Sequence, residues 1–286
     1  MQRIVDTHVH VWDLDRAEYP WLTGDNSILN RTWRIEEIEN ERREAGIMTG
    51  VLVQASGNAE DTDLMFETAK KTKWIIGVVG WLPLMDEQGT QLILEERYLN
   101  EKYFKGVRHQ IHDEKDPKWL LQPGVINSLK TVASYDLPYD IVAVSPHQIE
   151  TSLELAERIP DLRMVFDHLS QPPIAGKERF GKWGELMKEA ARHKNFYAKI
   201  SGLGTASGNF KDRKPGDIKP YIEFALQHFG TDRCFCGGDW PVSMLADSYK
   251  LTWQTYKDIL RELLSEEDQE KVFYSNAQRF YNLSIN

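Results

Sequence analysis

The segment Asp6-Thr7-His8-Val9-His10 places two imidazoles two residues apart at the end of an apolar run. In a strand, successive side chains point to opposite faces, so both rings emerge on the same side. Such a pair can converge on one metal ion or one carbonyl oxygen, or it can simply meet solvent and a backbone carbonyl. His168 ends a second apolar run, Met164-Val165-Phe166-Asp167-His168, and Asp239 follows a third in Cys236-Gly237-Gly238-Asp239-Trp240-Pro241. Taken singly, His168 reads as a structural histidine and Asp239 as a turn residue. If one fold brings all four to the same rim, they can ligate a divalent metal or polarise a carbonyl, with the carboxylate serving as general base toward water.

The elements that must position these residues are legible as an alternation. Apolar runs at Ile4–Val9, Gly50–Gln54, Ile75–Leu82, Phe104–Ile111, Tyr139–Val144, Met164–His168, Phe196–Ile200 and Cys234–Gly237 predict eight strands. Most are continuously apolar, as strands covered on both faces of a parallel sheet are. Segments of helical spacing lie between them: Ile35–Ala45, Asp61–Thr72, Gln91–Asn100, Val125–Tyr135, Ile149–Arg158, Trp183–Arg192, Ile218–His228 and Tyr249–Leu264. Eight strand–helix repeats close most naturally into a single (β/α)8 TIM barrel, with an open doubly wound sheet as the structural rival. The 286 residues suit one such barrel of about 250 residues and predict a single domain over residues 1–286. Glu266–Leu283 is helical in pattern and is expected to pack as an extra element behind the eighth unit. Two long polar connections, Asp13–Arg34 and Gly202–Asp217, follow strand C-terminal ends, where a barrel builds its active site.

Composition narrows the function. A formal charge of −9 offers no footprint for nucleic acid or an anionic membrane surface, and no apolar run approaches the roughly 20 residues that span a bilayer. The expected compartment is the cytoplasm, since the N-terminus enters a strand pattern with no signal-peptide core. Cys234 and Cys236 share one apolar strand and read as core residues, so neither a disulfide framework nor a cysteine zinc site is expected. Gly202-Leu203-Gly204-Thr205-Ala206-Ser207-Gly208 has the wrong spacing for a dinucleotide loop, and a Gly-x-Ser-x-Gly nucleophile elbow is absent.

The ordered set Asp-Thr-His-x-His, Phe-Asp-His, Lys199-Ile200-Ser201-Gly202 and Gly-x-Asp-Trp-Pro resembles the amidohydrolase superfamily over nearly the whole chain. Within it the chain is similar to the lactonase branch, which acts on L-fucono- and L-rhamnono-lactones and on 2-pyrone-4,6-dicarboxylate. Trp12 with Tyr19-Pro20-Trp21-Leu22, Val53-Gln54-Ala55, Gly106-Val107-Arg108-His109 and Ser275-Asn276-Ala277 extend the likeness. The Trp21 loop leans toward sugar lactonases, because aromatic faces stack on sugar rings, although tryptophans at a barrel mouth also serve as packing. The resemblance implies lactone hydrolysis. Asp239 would activate water while His8, His10 and His168 polarise the lactone carbonyl, directly or through one zinc or manganese ion held by the same four residues. Metal-free catalysis stays open.

On the same basis Trp12, Trp21, Gln54, Arg108, Lys199 and Trp240 are candidate substrate-binding residues, with a small-molecule lactone as partner and a homo-oligomer as an open possibility. Arg108 either forks onto a substrate oxygen or forms a buried pair with an acidic neighbour, and Lys199 either faces the pocket or snorkels outward. His109, His112 and Asp113 are further candidates for the mouth. The chain departs from the wider superfamily in two places. The fifth strand ends without a histidine, and Arg108-His109 stands where many members carry a bridging lysine, which argues against a binuclear metal site. A zinc-dependent non-oxidative decarboxylase of the same superfamily and a non-catalytic ligand-binding barrel are the alternatives.

Overall fold

A computed structural model describes residues 2–177, 179–208 and 214–284. Eight strands appear in chain order: β1 Val5–Val9, β2 Thr49–Val53, β3 Ile75–Gly80, β4 Phe104–His109, β5 Tyr139–Ile141, β6 Met164–Phe166, β7 Phe196–Ile200 and β8 Cys234–Cys236. Each pairs in parallel with the next, and a parallel bridge between Val9 and Trp240 returns the last to the first. The fold is the expected (β/α)8 TIM barrel, its strands buried along nearly their whole length. Helices intervene at every step, and several begin on a polar cap. Asn58, Ser145 and Ser248 each accept a backbone N–H at the start of Ala59–Lys71, Pro146–Arg158 and Tyr249–Leu263.

The strand pattern hides one irregularity that matters for function. The β1–β2 register shifts between Asp6 and Val9, so β1 carries an extra residue there. Val5 packs inside the barrel with Val51, Val53, Val79, Val165 and Phe235. The next side chain, Asp6, turns out to the helix Tyr249–Leu263, where Tyr249 donates its hydroxyl at 2.6 Å. After the bulge His8 faces inward again, against Lys199 and Asp167.

The C-terminal segment departs from expectation. It divides into helical turns at Glu266–Glu270 and Asn276–Phe280, joined by a π-turn over Lys271–Ser275. It does not merely lie behind the eighth unit: Phe280, Tyr281 and Leu283 join the interior valine layer and close the floor of the barrel. The physical reason is that a ring of small valines leaves the lower barrel wide, and aromatic side chains from the end of the chain fill it. Tyr281 then donates to Asp140 Oδ2 at 2.6 Å, inside the barrel.

Both long loops leave the rim where expected. In the first, Trp12 and Trp33 pair their backbones, and Pro20–Leu22 forms a tight turn. The second opens with a helical turn, Leu203–Ala206, and its residues 209–213 lie outside the described residues.

Closure leaves no room at Gly238. A Cβ there would sit 2.4 Å from the Tyr249 ring and 2.6 Å from Asp6 Oδ2. Replacing Gly238 by Ala is expected to lower stability by about 1–3 kcal/mol, as overpacking does. Urea denaturation checks this, and an unchanged midpoint would show that the seam can move.

Candidate active site

Four side chains converge above the barrel interior. His8 and His10 bring their Nε2 atoms to 3.0 Å of each other. Asp239 Oδ1 lies 3.8 Å from His8 Nε2, 3.5 Å from His10 Nε2 and 3.9 Å from His168 Nε2. All four residues are buried. The two inward positions after the β1 bulge supply the first pair. The other two residues are aimed by left-handed backbone, with φ of 54° at His168 and 56° at Asp239. Neither Gly237 nor Gly238 has positive φ; Asp239 itself carries the strained conformation. Gly202, at φ 59°, lets the chain pass His168, because a Cβ there would fall 2.5 Å from the ring Nδ1.

Each imidazole is oriented through its other nitrogen. His10 Nδ1 donates to Val53 O at 2.7 Å, which leaves a lone pair on Nε2 directed at the cluster. His168 Nδ1 meets Ser201 Oγ at 2.9 Å. His8 Nδ1 sits 3.4 Å from Lys199 Nζ and 3.5 Å from Asp167 Oδ1. Burial, aided by Lys199 and His168, holds His8 well below the ordinary imidazole range against the pull of Asp167, and burial likewise lowers His168. Burial opposes ionisation of Asp239, yet the neighbouring His168, with His8 and His10, brings its pKa down to about 2. His8 and His168 are therefore neutral beside an ionised Asp239 at neutral pH.

This donor set fits one divalent cation. A lone pair on His10 Nε2 and an ionised oxygen of Asp239 face each other at 3.5 Å, an arrangement that a shared cation relieves. Nitrogen and oxygen donors of this kind suit zinc or manganese. His8, Asp167 and His168 also come close enough to hold an ion. Asp167, however, is already ion-paired with Lys199 Nζ at 2.7 Å and Arg108 Nε at 3.0 Å, so a cation there would meet two resident positive charges.

Lys199 neither snorkels outward nor lines the pocket. It is wholly buried below it, ion-paired with Asp140 at 2.6 Å and Asp167 at 2.7 Å. Asp140 and Asp167 are the residues that sequence reasoning missed. The only available signal was that both are carboxylates inside apolar strand runs, where a charge requires a partner. Arg108 forms the buried pair, with Asp167 at 3.0 Å, and it also lines the cavity.

The cavity at the mouth measures about 290 Å³. Trp12, Trp21, Val142 and Val242 supply apolar wall, while His10, His168, Asp239, Arg108, Gln110 and His112 supply polar groups. Gln54 and Trp240 lie outside this lining. Gln54 is fully buried and accepts from Arg108 Nη1, and Trp240 packs edge-on against Trp33 at 5.3 Å. Of the fourth-strand candidates, His112 lines the cavity, and burial lowers its pKa to about 4. His109 instead stacks on Trp119 at 4.1 Å and binds Glu114 at 2.7 Å, while Asp113 faces His112 at 3.7 Å and does not line the cavity.

The aromatic loop is anchored to β2. Trp21 Nε1 donates to Ala55 O at 2.8 Å, Ser56 Oγ donates to Glu18 O at 2.6 Å, and Tyr19 OH donates to Asp61 Oδ1 at 3.0 Å. Trp12 meets Trp21 edge to face at 5.2 Å.

With this geometry in place, comparison with known proteins is decisive. The family model described as amidohydrolase matches residues 5–283. The chain belongs to the amidohydrolase family. It is similar to the L-fucono-1,5-lactonase of Burkholderia ambifaria, at 29% identity over 98% of this chain and 95% of that one. It is also similar to the L-rhamnono-gamma-lactonase of Scheffersomyces stipitis, at 25% identity over 63% of this chain and 59% of that one. A crystal structure of an amidohydrolase from Burkholderia multivorans with bound zinc superposes with a TM-score of 0.90 at 25% identity, covering 99% of this chain and all of that one. Among the described residues of this amidohydrolase, no helix is long and apolar enough to cross a membrane.

Two outcomes are expected. Lys199→Met leaves Asp140 and Asp167 buried without their shared cation and should cost about 3–5 kcal/mol in urea denaturation, the cost of breaking a buried pair. A loss below 1 kcal/mol would show that the interior carboxylates are held otherwise. Burial raises Asp61 to about 6, against bonds from Ala55, Tyr19 and Ser56. The folded state therefore binds a proton that the unfolded chain has released at pH 4.5–6, and this group's contribution to stability falls as pH rises through that window. The stability advantage of the parent over Asp61→Asn should be larger at pH 4.5 than at pH 7; an equal or reversed difference would refute the assignment.

Proposed function

We propose that this amidohydrolase opens the lactone ring of a sugar acid, an aldonolactone of the fucono or rhamnono kind. The observation that carries the reading is the convergence of three imidazole Nε2 atoms on one ionised oxygen of Asp239, beside a cavity walled by Trp12 and Trp21. The names of the lactonase relatives supply the substrate class.

The residues of the chain account for each proton. Asp239 accepts a proton from water as the oxygen attacks the lactone carbonyl carbon. In the metal-free form the carbonyl oxygen, becoming an oxyanion, turns toward His8 and His168, whose Nε2–H groups can donate to it in a site shielded from bulk water. Collapse of the tetrahedral intermediate breaks the bond to the ring oxygen, which leaves as a hydroxyl carrying the proton back from Asp239. With its pKa near 2, Asp239 is a weak base but a ready acid once protonated, so the return step is easy and the attack depends on polarisation of the carbonyl. His8, His10, His168 and Asp239 would hold one zinc or manganese ion, which when bound supplies Lewis-acid polarisation. Arg108, Gln110 and the neutral imidazole of His112 offer hydrogen bonds to sugar hydroxyls, and Trp12 and Trp21 offer faces to the ring.

The test is a panel of aldonolactones and pyrone lactones followed by a pH indicator, with chelator-treated and metal-loaded protein. Turnover of a sugar lactone is expected, with kcat/KM falling about 10²- to 10⁴-fold in Asp239→Asn, the range for a lost general acid–base. If every lactone is inert in both forms, the reading fails. Release of carbon dioxide from an aromatic acid would then favour the decarboxylase, and unaltered ligand affinity in Asp239→Asn without turnover would favour a binding barrel.

A further inference from the structure

A second cavity of about 250 Å³ adjoins the first, and Val144 and Gln171 line both. Its remaining walls come from the start of the helix Pro146–Arg158 and from the segment after β6, with Phe180 and Trp183 as aromatic faces. That segment is unusual: His168, Leu169, Ser170 and Gln171 all adopt left-handed backbone, at φ of 54°, 51°, 54° and 51°. For residues with a Cβ this conformation is strained, and such strain collects at functional sites. One run thus delivers His168 to the catalytic cluster, Ser170 to the second cavity and Gln171 to the partition between the two.

The polar lining points to the chemistry of an occupant. Ser170 Oγ is buried, with the residue 2% exposed, and has no hydrogen-bond partner among the described residues, although it lines the cavity. A buried hydroxyl left unpaired is costly, and a ligand group would satisfy it. Among the described residues that line it, Lys182 is the one cation, and it is ion-paired with Glu150 at 3.3 Å, so these residues offer no surplus positive charge to an anion. Aromatic faces with hydroxyl and amide groups and balanced charge suit a neutral polyhydroxylated ring.

Resting on the lactonase reading, we propose that the second cavity is a subsite for a glycosyl substituent, so that the enzyme opens lactones of disaccharide aldonic acids as well as monosaccharide ones. The lactone ring occupies the cavity beside Asp239, and the attached sugar passes Val144 and Gln171 to lie against Trp183, with a hydroxyl on Ser170.

Calorimetry with the acid products avoids turnover. Cellobionate is expected to bind the wild-type protein at least tenfold more tightly than gluconate. Ser170→Ala should reduce that preference severalfold, and Pro173→Trp, which fills the second cavity at a residue that does not line the first, should abolish it while leaving gluconate affinity within twofold. Kinetics with the corresponding lactones should show the same pattern. Equal affinity for the two acids in the wild-type protein overturns the subsite, as does loss of both ligands to the same degree in a folded Pro173→Trp variant. Preferential binding of phosphorylated or other anionic derivatives would also overturn it in favour of an anion site. If gluconate and cellobionate both fail to bind while a monosaccharide lactone is opened, the subsite is overturned; if no lactone is opened either, it is the lactonase reading that fails, so the two failures are distinguishable.

Discussion

Asp239 N–H donates to His8 O at 2.7 Å, and His10 N–H donates to Trp240 O at 2.7 Å. These two backbone bonds close the barrel between its last and first strands, and they join the very residues whose side chains form the cluster. Closure and assembly of the site are thus one event. The carboxylate and the two imidazoles come from residues more than 220 positions apart, yet their relative placement is as rigid as a sheet ladder. Asp6 reinforces the seam from outside, accepting from His8 N at 2.9 Å, from Gly238 N at 2.8 Å and from Tyr249 OH at 2.6 Å. Burial raises Asp6 to about 6, so the bonds it accepts must offset the cost of holding a charge there at neutral pH.

Beneath the seam the barrel interior is layered. Valines and Phe235 form the lowest layer, closed by Phe280 and Tyr281. Above them Lys199 and Arg108 balance Asp140 and Asp167 in a buried group of zero net charge. Such groups rarely add stability over apolar packing, but removing any one member strands a charge. Here the group also touches His8, so the arrangement that neutralises the interior sets the environment of the site. Lys199 and the opposing charges hold Asp167 ionised well below the usual range in spite of its burial, which keeps it an acceptor for its neighbours.

The outer wall of the site is built differently, from loops. The Trp21 loop is pinned by hydrogen bonds to the end of β2, while the wall after β6 is set by consecutive left-handed residues. The clustered groups therefore sit on strand ends and the seam, whereas the walls of the cavity around them sit on connections, whose variation leaves the barrel intact.

The sequence by itself determined the fold class and the four residues of the cluster. Eight apolar runs separated by amphipathic segments admit few topologies, and His-x-His, Asp-His and Gly-Gly-Asp each end one such run. Alternation along a strand sufficed for His8 and His10, because that pattern is local. It did not reveal the bulge that turns Asp6 outward and His8 inward, since a bulge is defined only against the neighbouring strand. Lys199, Gln54 and Trp240 could be placed near the rim but not facing the cavity, and Asp140 and Asp167 went unnoticed. Whether a side chain faces a cavity or a buried counter-charge depends on which distant residue lies opposite. Only the closed barrel decided that Lys199 answers two aspartates, that Tyr281 returns from the end of the chain to plug the floor, and that a second cavity adjoins the first. Local periodicity encodes burial, but partnership across hundreds of residues is set by barrel closure.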